Sequence, residues 1–175
     1  MNVREIILDI LLELNRQNEY ANILITAVLK KYDYLDGREK AFIKRVSEGT
    51  IERRIQIGYV LELFSKVPVV KMKPLIRELL RMSVYQILFM EHTPDAAVCN
   101  EAVKLAKKRR FQSLQGYVNG VLRAVARGKD SIPYPDRQKD IKAYLSVACS
   151  VPVWLVDHLC DVCGAEQCET ILQCF

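Results

Sequence analysis

Apolar residues recur every three or four positions along most of the chain, which is the spacing of one face of an α-helix. The first such stripe consists of Val3, Ile6, Ile7, Ile10, Leu11 and Leu14. A second predicted helix covers about residues 22–32, with Ile23, Ala27 and Val28 facing inward. The alternation of apolar and polar residues that is typical of a half-buried strand is almost absent. The pattern therefore predicts an all-α fold.

Local signals indicate where the next helices begin and end. Asp36 followed by Glu39 predicts the cap of a third helix, which runs to about Arg54, and a further helical stretch covers 55–65. Because glycine is a poor helix former, Gly49 and Gly58 predict a bend or a break within this long segment.

The stretch that follows Lys73 is apolar around nearly its whole helical circumference. Pro74 suits a first helical turn, and the predicted helix spans about 74–90. A helix of this kind belongs in the middle of a bundle. The next predicted helix runs from Thr93-Pro94-Asp95 to about Arg110, and another covers 114–125 and is closed by Gly128.

A linker separates two predicted regions, residues 1–128 and residues 129–175. Its sequence is Ser131-Ile132-Pro133-Tyr134-Pro135-Asp136, which is rich in turn-forming residues. Short helical segments follow near 137–147, 152–162 and 165–174. The last segment is still amphipathic where the sequence stops at the apolar Phe175, so we expect a fragment of a longer protein.

Composition and charge narrow the class of protein. Half of the residues are apolar and 27% are charged, which is enough for a buried core. Apolar runs are too short for a membrane span, and the charged residues near the N-terminus do not fit a secretory signal, so we expect a cytoplasmic protein. Residues 1–128 carry 22 Lys and Arg against 14 Asp and Glu, whereas residues 129–175 carry 4 against 7. Any anionic partner is therefore expected to meet the first region.

The densest basic cluster lies at the end of the predicted helix that starts at Asp95. It consists of Lys104, Lys107, Lys108, Arg109 and Arg110, with no acidic residue between them. A solvated face with cations at a helix C-terminus would explain part of this cluster. The excess favours contact with nucleic-acid phosphates.

Further basic residues lie on the third predicted helix. Arg38, Lys40, Lys44 and Arg45 form a weaker group, and Arg53-Arg54 forms another. Glu39 and Glu48 are interleaved with them, so ordinary ion pairs along the helix explain these groups at least as well.

The chain has six cysteines but no clear catalytic or metal-binding arrangement. Cys160, Cys163, Cys168 and Cys174, with His158 nearby, have a ligand-like spacing, but no second pair on a tight turn accompanies them. Cys160, Cys168 and Cys174 are better interpreted as small buried apolar residues. Neither histidine accompanies a plausible nucleophile, and no glycine-rich phosphate loop is present. The residues alone predict a binding module, with neither catalytic nor metal-ligating residues.

Several segments resemble the NusB-like RNA-binding fold. They are residues 73–86, 93–108 and 116–123, with Arg38-Glu39-Lys40-Ala41-Phe42 and Gly49-Thr50 further upstream. Two branches share this fold. One is the antitermination factor NusB, which binds boxA RNA together with a small-subunit ribosomal protein. The other is the N-terminal domain of the bacterial 16S ribosomal RNA cytosine-C5 methyltransferase of the Sun/RsmB type.

The tail of the chain favours the second branch. Ile132-Pro133-Tyr134-Pro135 and the residues around Trp154 resemble the segment that connects the two domains of the methyltransferase. The resemblance implies a NusB-like helical bundle with a short C-terminal helical linker region. It implies that the chain positions small-subunit ribosomal RNA, while a C-terminal domain absent from this sequence binds S-adenosylmethionine.

Two alternatives remain open at this stage. One is a NusB-type antitermination factor, and the other is a bundle whose basic face binds an acidic protein. In the methyltransferase interpretation the expected phosphate contacts are Lys104, Lys107, Lys108, Arg109, Arg110, Arg38, Lys40 and Lys44.

Overall fold

A computed structural model describes residues 2–16 and 20–174 of the chain. Within these ranges the regular structure consists of α-helices and short 3-10 turns, without a strand, which confirms the predicted all-α fold. Phe175, which contributed to the expectation of a longer protein, lies outside the described residues. The helices are α1 (Val3–Arg16), α2 (Ala21–Lys31), α3 (Gly37–Glu52), α4 (Arg54–Phe64), α5 (Pro74–Phe89), α6 (Asp95–Lys108), α7 (Gln115–Gly128), α8 (Ile141–Ala148), α9 (Val153–Cys163) and α10 (Ala165–Gln173).

Helix α5 occupies the centre of the main bundle, as its sequence predicts. It packs against α1, α3, α4, α6 and α7. Leu79, Leu80, Met82 and Val84 are fully buried, although they point to different sides of the helix. Because each such side chain stabilises the folded state by roughly 1.5–3 kcal/mol, α5 is the element around which the other helices are organised.

The long segment after Asp36 divides at Arg53 and not at a glycine. The capping box is present: the Asp36 carboxylate accepts from the Glu39 N–H at 2.8 Å, and Glu39 accepts from the Asp36 N–H at 3.1 Å. Gly49 and Gly58 lie inside α3 and α4, so the predicted break at these residues is wrong, whereas the predicted end of the third helix near Arg54 lies within two residues of the observed one.

Gly49 has a packing role. A Cβ at this position would lie 2.1 Å from Cζ of Tyr85, because the tyrosine ring of α5 rests directly on the α3 backbone. The close approach of the two helices therefore requires a residue without a side chain at Gly49.

Gly128 allows Phe64 to pack closely against α7 and does not act as a helix cap. Its φ is −97°, outside the left-handed conformation that a glycine C-cap adopts. A Cβ there would lie 2.6 Å from Cζ of Phe64 in α4. The predicted capping role of Gly128 is therefore wrong, and the glycine accommodates the aromatic ring.

The inward face of α2 differs from the predicted one. Ile23 is 59% exposed and Ala27 is also exposed, whereas Ile25 is buried and Val28 is half-buried. Helix α2 packs mainly against α1 and α3 at the edge of the bundle, so only a narrow stripe of its surface is covered.

The last three helices enclose a second, smaller core. Leu145, Val156, Cys168 and Leu172 are its buried residues. Helix α8 packs against α4, which joins this small bundle to the main one.

The junction between the two bundles lies at the N-terminus of α4. The Ser150 hydroxyl accepts hydrogen bonds from the N–H groups of Ile55 at 3.0 Å and Gln56 at 3.3 Å. The Gln56 side-chain amide donates to the Tyr134 hydroxyl at 3.1 Å, and the Tyr134 ring stacks on Tyr59. Helix α4 has no cap from its own sequence, so Ser150 satisfies backbone donors that would otherwise lack a partner.

Candidate nucleic-acid interface

Helix α6 presents its basic residues on the side opposite the core. Its buried residues are Val98, Cys99, Ala102, Leu105 and Ala106. Lys104 and Lys107 are exposed on the outer side. The ammonium group of Lys104 lies 2.8 Å from the Glu101 carboxylate, whereas Lys107 makes no ion pair with the residues that the structure describes. Lys107 therefore has the least compensated charge on this face.

Two of the predicted phosphate contacts are bound to acidic residues of α1. Lys108 Nζ lies 2.5 Å from Glu5 Oε2, and Arg109 Nη2 lies 2.6 Å from Asp9 Oδ1. Arg109 Nε is also 3.2 Å from Glu5 Oε1, although its N–H is not aligned for a hydrogen bond. These pairs connect α6 to α1, so much of the charge of Lys108 and Arg109 is neutralised within the protein.

The same contacts change the acidity of Glu5. The hydrogen bond from Lys108 is the main cause that lowers the pKa of Glu5 below its usual value, and the Arg109 charge lowers it further. Burial opposes this effect. Glu5 is therefore held in its charged form at neutral pH.

Arg110 ends α6 in a conformation that is unusual for its residue type. Its φ is +66°, in the left-handed region, and its N–H donates to the Lys107 carbonyl at 3.1 Å. The Phe111 N–H donates to the Ala106 carbonyl at 2.8 Å, which completes a Schellman motif. Glycine is the usual residue at this position, but the chain has an exposed arginine there.

The second predicted group lies on a different part of the bundle. Arg38 and Lys44 are exposed on α3, and Lys40 binds the carbonyl and carboxylate of Asp33 at 3.0 and 3.1 Å. Helix α3 packs mainly on α1, α2 and α5, whereas α6 packs mainly on α5 and α7. The structure does not bring the α3 group together with the α6 group.

A cluster of three arginines surrounds the buried carboxylate of Glu78. The Glu78 side chain is 3% exposed, and its Oε1 lies 2.7 Å from Arg81 Nη1, 3.2 Å from Arg77 Nε and 3.6 Å from Arg54 Nη2. Arg54 also donates to the Asn15 side chain. We call Arg54, Arg77 and Arg81 the Glu78 arginine cluster.

Sequence reasoning missed most of this cluster. The sequence places Arg54 in a basic pair with Arg53, and the spacing of Arg77 and Arg81 puts both on one side of α5. Two arginines beside an acidic residue on an otherwise apolar helix are the signal that was available. The meeting with Arg54 depends on how α4 packs on α5, which no local pattern reveals.

A groove with polar and apolar lining residues lies between α6 and α7 beside Lys104. It has a volume of about 510 Å³ and is lined by Asn100, Gln115, Asn119 and Arg123, among others. Arg123 Nε donates to Asn119 Oδ1 at 3.0 Å, which fixes the guanidinium against the α7 surface. The groove adds a second cation and several amide groups to the surface that contains Lys104.

The tail cysteines belong to the small second core to different degrees. Cys168 is fully buried and Cys160 is half-buried, but Cys174 is exposed, so its predicted burial is wrong. Burial is the main cause that raises the pKa of the Cys168 thiol to about 11. Among the residues that the structure describes, no three His, Cys, Asp or Glu side chains are grouped in a way that could hold a metal ion.

No helix in the described parts of the chain has both the length and the apolar character needed to cross a membrane.

Comparison with known proteins gives similarities over the main bundle and over the whole chain. A model of the NusB family matches residues 1–127. The "Probable ribosomal RNA small subunit methyltransferase B" of Bacillus subtilis (strain 168) is 35% identical over 170 residues, which is 97% of this chain and 37% of that protein. The chain therefore spans little more than a third of the length of this relative.

Solved structures have the same fold at low sequence identity. NusB in a complex of the antitermination factors NusB and NusE with double-stranded RNA superposes with a TM-score of 0.66 and 19% identity, covering 72% of this chain and 94% of the solved one. The crystal structure of the protein PH0851 superposes with a TM-score of 0.75 and 15% identity over 99% of this chain and 38% of the solved one. The first match covers less of this chain than the second.

Proposed function

The chain belongs to the NusB family, and we propose that it is the RNA-binding N-terminal domain of a 16S ribosomal RNA (cytosine-C5) methyltransferase. The observation that carries this proposal is the extent of the similarity. The B. subtilis methyltransferase relative matches 97% of the chain, which includes most of the tail. A solved NusB chain, in contrast, covers 72% of this chain although 94% of NusB itself is superposed. This difference favours the methyltransferase branch over a NusB-type antitermination factor.

In this proposal residues 1–128 hold small-subunit ribosomal RNA through its phosphates. Lys107 and Arg110 are the principal contacts, because they are exposed on or next to α6 and make no ion pair with the residues that the structure describes. Lys104 is exposed beside them, although it shares its charge with Glu101. Lys108 and Arg109 contribute less, since Glu5 and Asp9 share their charge. Lysine and arginine contacts of this kind position RNA without reading its sequence.

The α3 residues are proposed as secondary contacts. Arg38 is exposed, whereas Lys40 is bound to Asp33 and Lys44 lies 3.9 Å from Glu48. A long RNA could reach α3 and α6 at the same time, but a phosphate at Lys40 or Lys44 would first have to compete with an existing acidic partner.

Residues 129–175 are proposed as a helical linker to a methyltransferase domain. That domain would bind S-adenosylmethionine and carry out methyl transfer in the cytoplasm. The described residues offer no strand or glycine-rich loop suited to this cofactor. The proposed task of this chain is therefore to bind and orient RNA for its own methyltransferase domain, and any further protein partner is unidentified.

Binding of the chain to RNA tests this proposal. We expect salt-dependent affinity for fragments of small-subunit ribosomal RNA, and no preference for boxA RNA. Lys104→Ala combined with Lys107→Ala should weaken binding and reduce the slope of log affinity against log salt by up to about one per lost contact. This double variant leaves the ion pair between Glu5 and Lys108 intact.

A charge-matched control uses Lys30→Ala combined with Lys66→Ala, since both lysines are exposed outside the proposed interface. The control should bind RNA like the wild type. Equal affinity of the two double variants would remove Lys104 and Lys107 from the interface. A clear preference for boxA RNA would instead support a NusB-type antitermination factor. Tight binding to an acidic protein without competition by RNA would support a bundle whose basic face binds acidic proteins.

A further inference from the structure

The Glu78 arginine cluster has more positive charge than its single carboxylate balances. Three guanidinium groups lie within 4 Å of one oxygen atom of Glu78. Arginine stays protonated in proteins, so the cluster has a surplus of about two positive charges. The Arg81 side chain is 11% exposed, and its Nε is buried with no hydrogen-bond partner in the part of the chain that the structure describes.

Burial and the neighbouring arginines destabilise the positive charge of Arg81. Burial is the main cause that lowers the pKa of Arg81, and the charges of Arg54 and Arg77 lower it further, while Glu78 raises it. A buried cation with incomplete compensation is costly, so an additional anion close to the cluster would stabilise it.

The cluster is open to solvent on the side of two of its arginines. The Arg54 side chain is 43% exposed and that of Arg77 is 22% exposed, so both side chains are partly accessible to an anion in solution. Arg54 is also held by the side chain of Asn15. Two guanidinium groups fixed beside each other can present several N–H donors to one phosphate group.

The cluster is connected to the proposed RNA interface. The ammonium group of Lys73 lies 5.4 Å from the centre of the Phe111 ring, and Phe111 directly follows Arg110 at the end of α6. Arg77 lies one helical turn beyond Lys73 on the same side of α5. Lys73 therefore contacts the end of α6 and lies one turn before Arg77 of the cluster.

We propose that the Glu78 arginine cluster is a binding site for one phosphodiester group of the RNA. This inference rests on the proposed function and adds a contact that lies outside α6 and α3. Arg54 and Arg77 bind the phosphate oxygens, and Arg81 supplies the buried positive charge behind them. Glu78 holds the three guanidinium groups in position, so the site is organised before RNA arrives.

A purely structural cluster predicts different behaviour. In that case the arginines only connect α1, α4 and α5, and their replacement lowers stability without changing how the folded protein responds to phosphate or RNA. Measurements on folded variants therefore separate the two roles.

The first experiment measures RNA affinity as a function of salt for Arg77→Ala and Arg54→Ala. For each variant we expect about tenfold weaker binding at fixed salt and a salt slope that is smaller by about one. Arg77→Lys should keep the slope, because the charge remains, but should lose affinity because the forked donor geometry is gone. Arg127→Ala, which removes an exposed arginine at the end of α7, is the matched control and should bind like the wild type.

The second experiment uses inorganic phosphate as the probe. At constant ionic strength, replacing chloride with phosphate should raise the melting temperature of the wild type and of Arg127→Ala more than that of Arg77→Ala. This measurement does not depend on RNA, and each variant is compared with itself, so a loss of basal stability does not obscure the result.

The outcomes distinguish the proposed RNA-binding function from the proposed phosphate site. If the wild type binds RNA, and Arg54→Ala and Arg77→Ala bind it with unchanged affinity and slope, the phosphate site is wrong while the proposed function stands. If the wild type binds no RNA but phosphate stabilises it through Arg77, the proposed function fails and an anion site remains. Equal phosphate responses of wild type and Arg77→Ala would overturn the site in either case.

Discussion

At Arg110 the backbone conformation favours glycine, whereas the proposed RNA contact needs the arginine side chain. Its left-handed conformation costs an L-residue about 1–2 kcal/mol, and glycine removes this cost. The side chain, however, extends the basic surface at the end of α6. An arginine in this position is what one expects where binding has been kept at the expense of stability.

We predict that Arg110→Gly gives a more stable protein that binds RNA less well. The free energy of unfolding should rise by about 0.5–1 kcal/mol, since the relief of strain exceeds the larger entropy of glycine in the unfolded chain. Thermal or urea unfolding measures the first effect, and RNA titration at several salt concentrations measures the second. A stabilised variant with wild-type affinity would exclude Arg110 from the interface.

At the scale of helices, local patterns predicted where the elements lie and, to within about two residues, where most of them end. The spacing of apolar residues locates α1, α5 and α7, and Asp36 with Glu39 specifies the start of α3. After the break at Arg53, the start of α4 is capped by the hydroxyl of Ser150, a residue about 95 positions further along the chain. Such a partner is invisible to a local pattern, which places the boundary near Arg54 but also predicts a bend or a break at the two glycines.

Gly49 and Gly58 look equivalent in sequence but differ in their surroundings. We predict that Gly49→Ala destabilises the protein by about 1–3 kcal/mol, because the new methyl group would collide with the Tyr85 ring. Gly58→Ala should stabilise it by up to about 1 kcal/mol, because no atom lies within 4 Å of the added Cβ and alanine favours the helix. Urea unfolding of both variants gives this comparison, and similar values for the two would contradict the packing argument.

At the scale of the whole molecule, the candidate interface depends on contacts between distant parts of the chain. The sequence correctly places α6 and its basic end, but Glu5 and Asp9 lie about 100 residues away from Lys108 and Arg109. The Glu78 arginine cluster likewise joins α4 to α5 through tertiary packing. Charge density along a sequence therefore overstates the cations that remain free in α6 and misses those that packing collects elsewhere.

The ion pair between Glu5 of α1 and Lys108 of α6 should make the free energy of unfolding depend on pH. The pKa of Glu5 is lowered in the folded protein, chiefly by its hydrogen bond with Lys108. A carboxylate with a lowered native pKa stabilises the fold above its unfolded pKa of about 4.3, and this contribution is lost as the pH falls through the native value. The free energy of unfolding should therefore decline below about pH 4.3 partly because Glu5 becomes protonated.

We predict that Glu5→Gln is less stable than the wild type by about 1–2 kcal/mol at pH 7, since a charge-assisted contact is replaced by a neutral one. The difference should shrink as the pH falls from 5 towards 3, because the wild type then loses the same interaction. Urea unfolding across this range tests the prediction, with Glu91→Gln, an exposed residue outside the contact, as the control. A constant difference at every pH would mean that packing, and not the ionised carboxylate, connects α1 to α6 at this point. In that case Lys108 and Arg109 would be freer to bind RNA than their distances to Glu5 indicate.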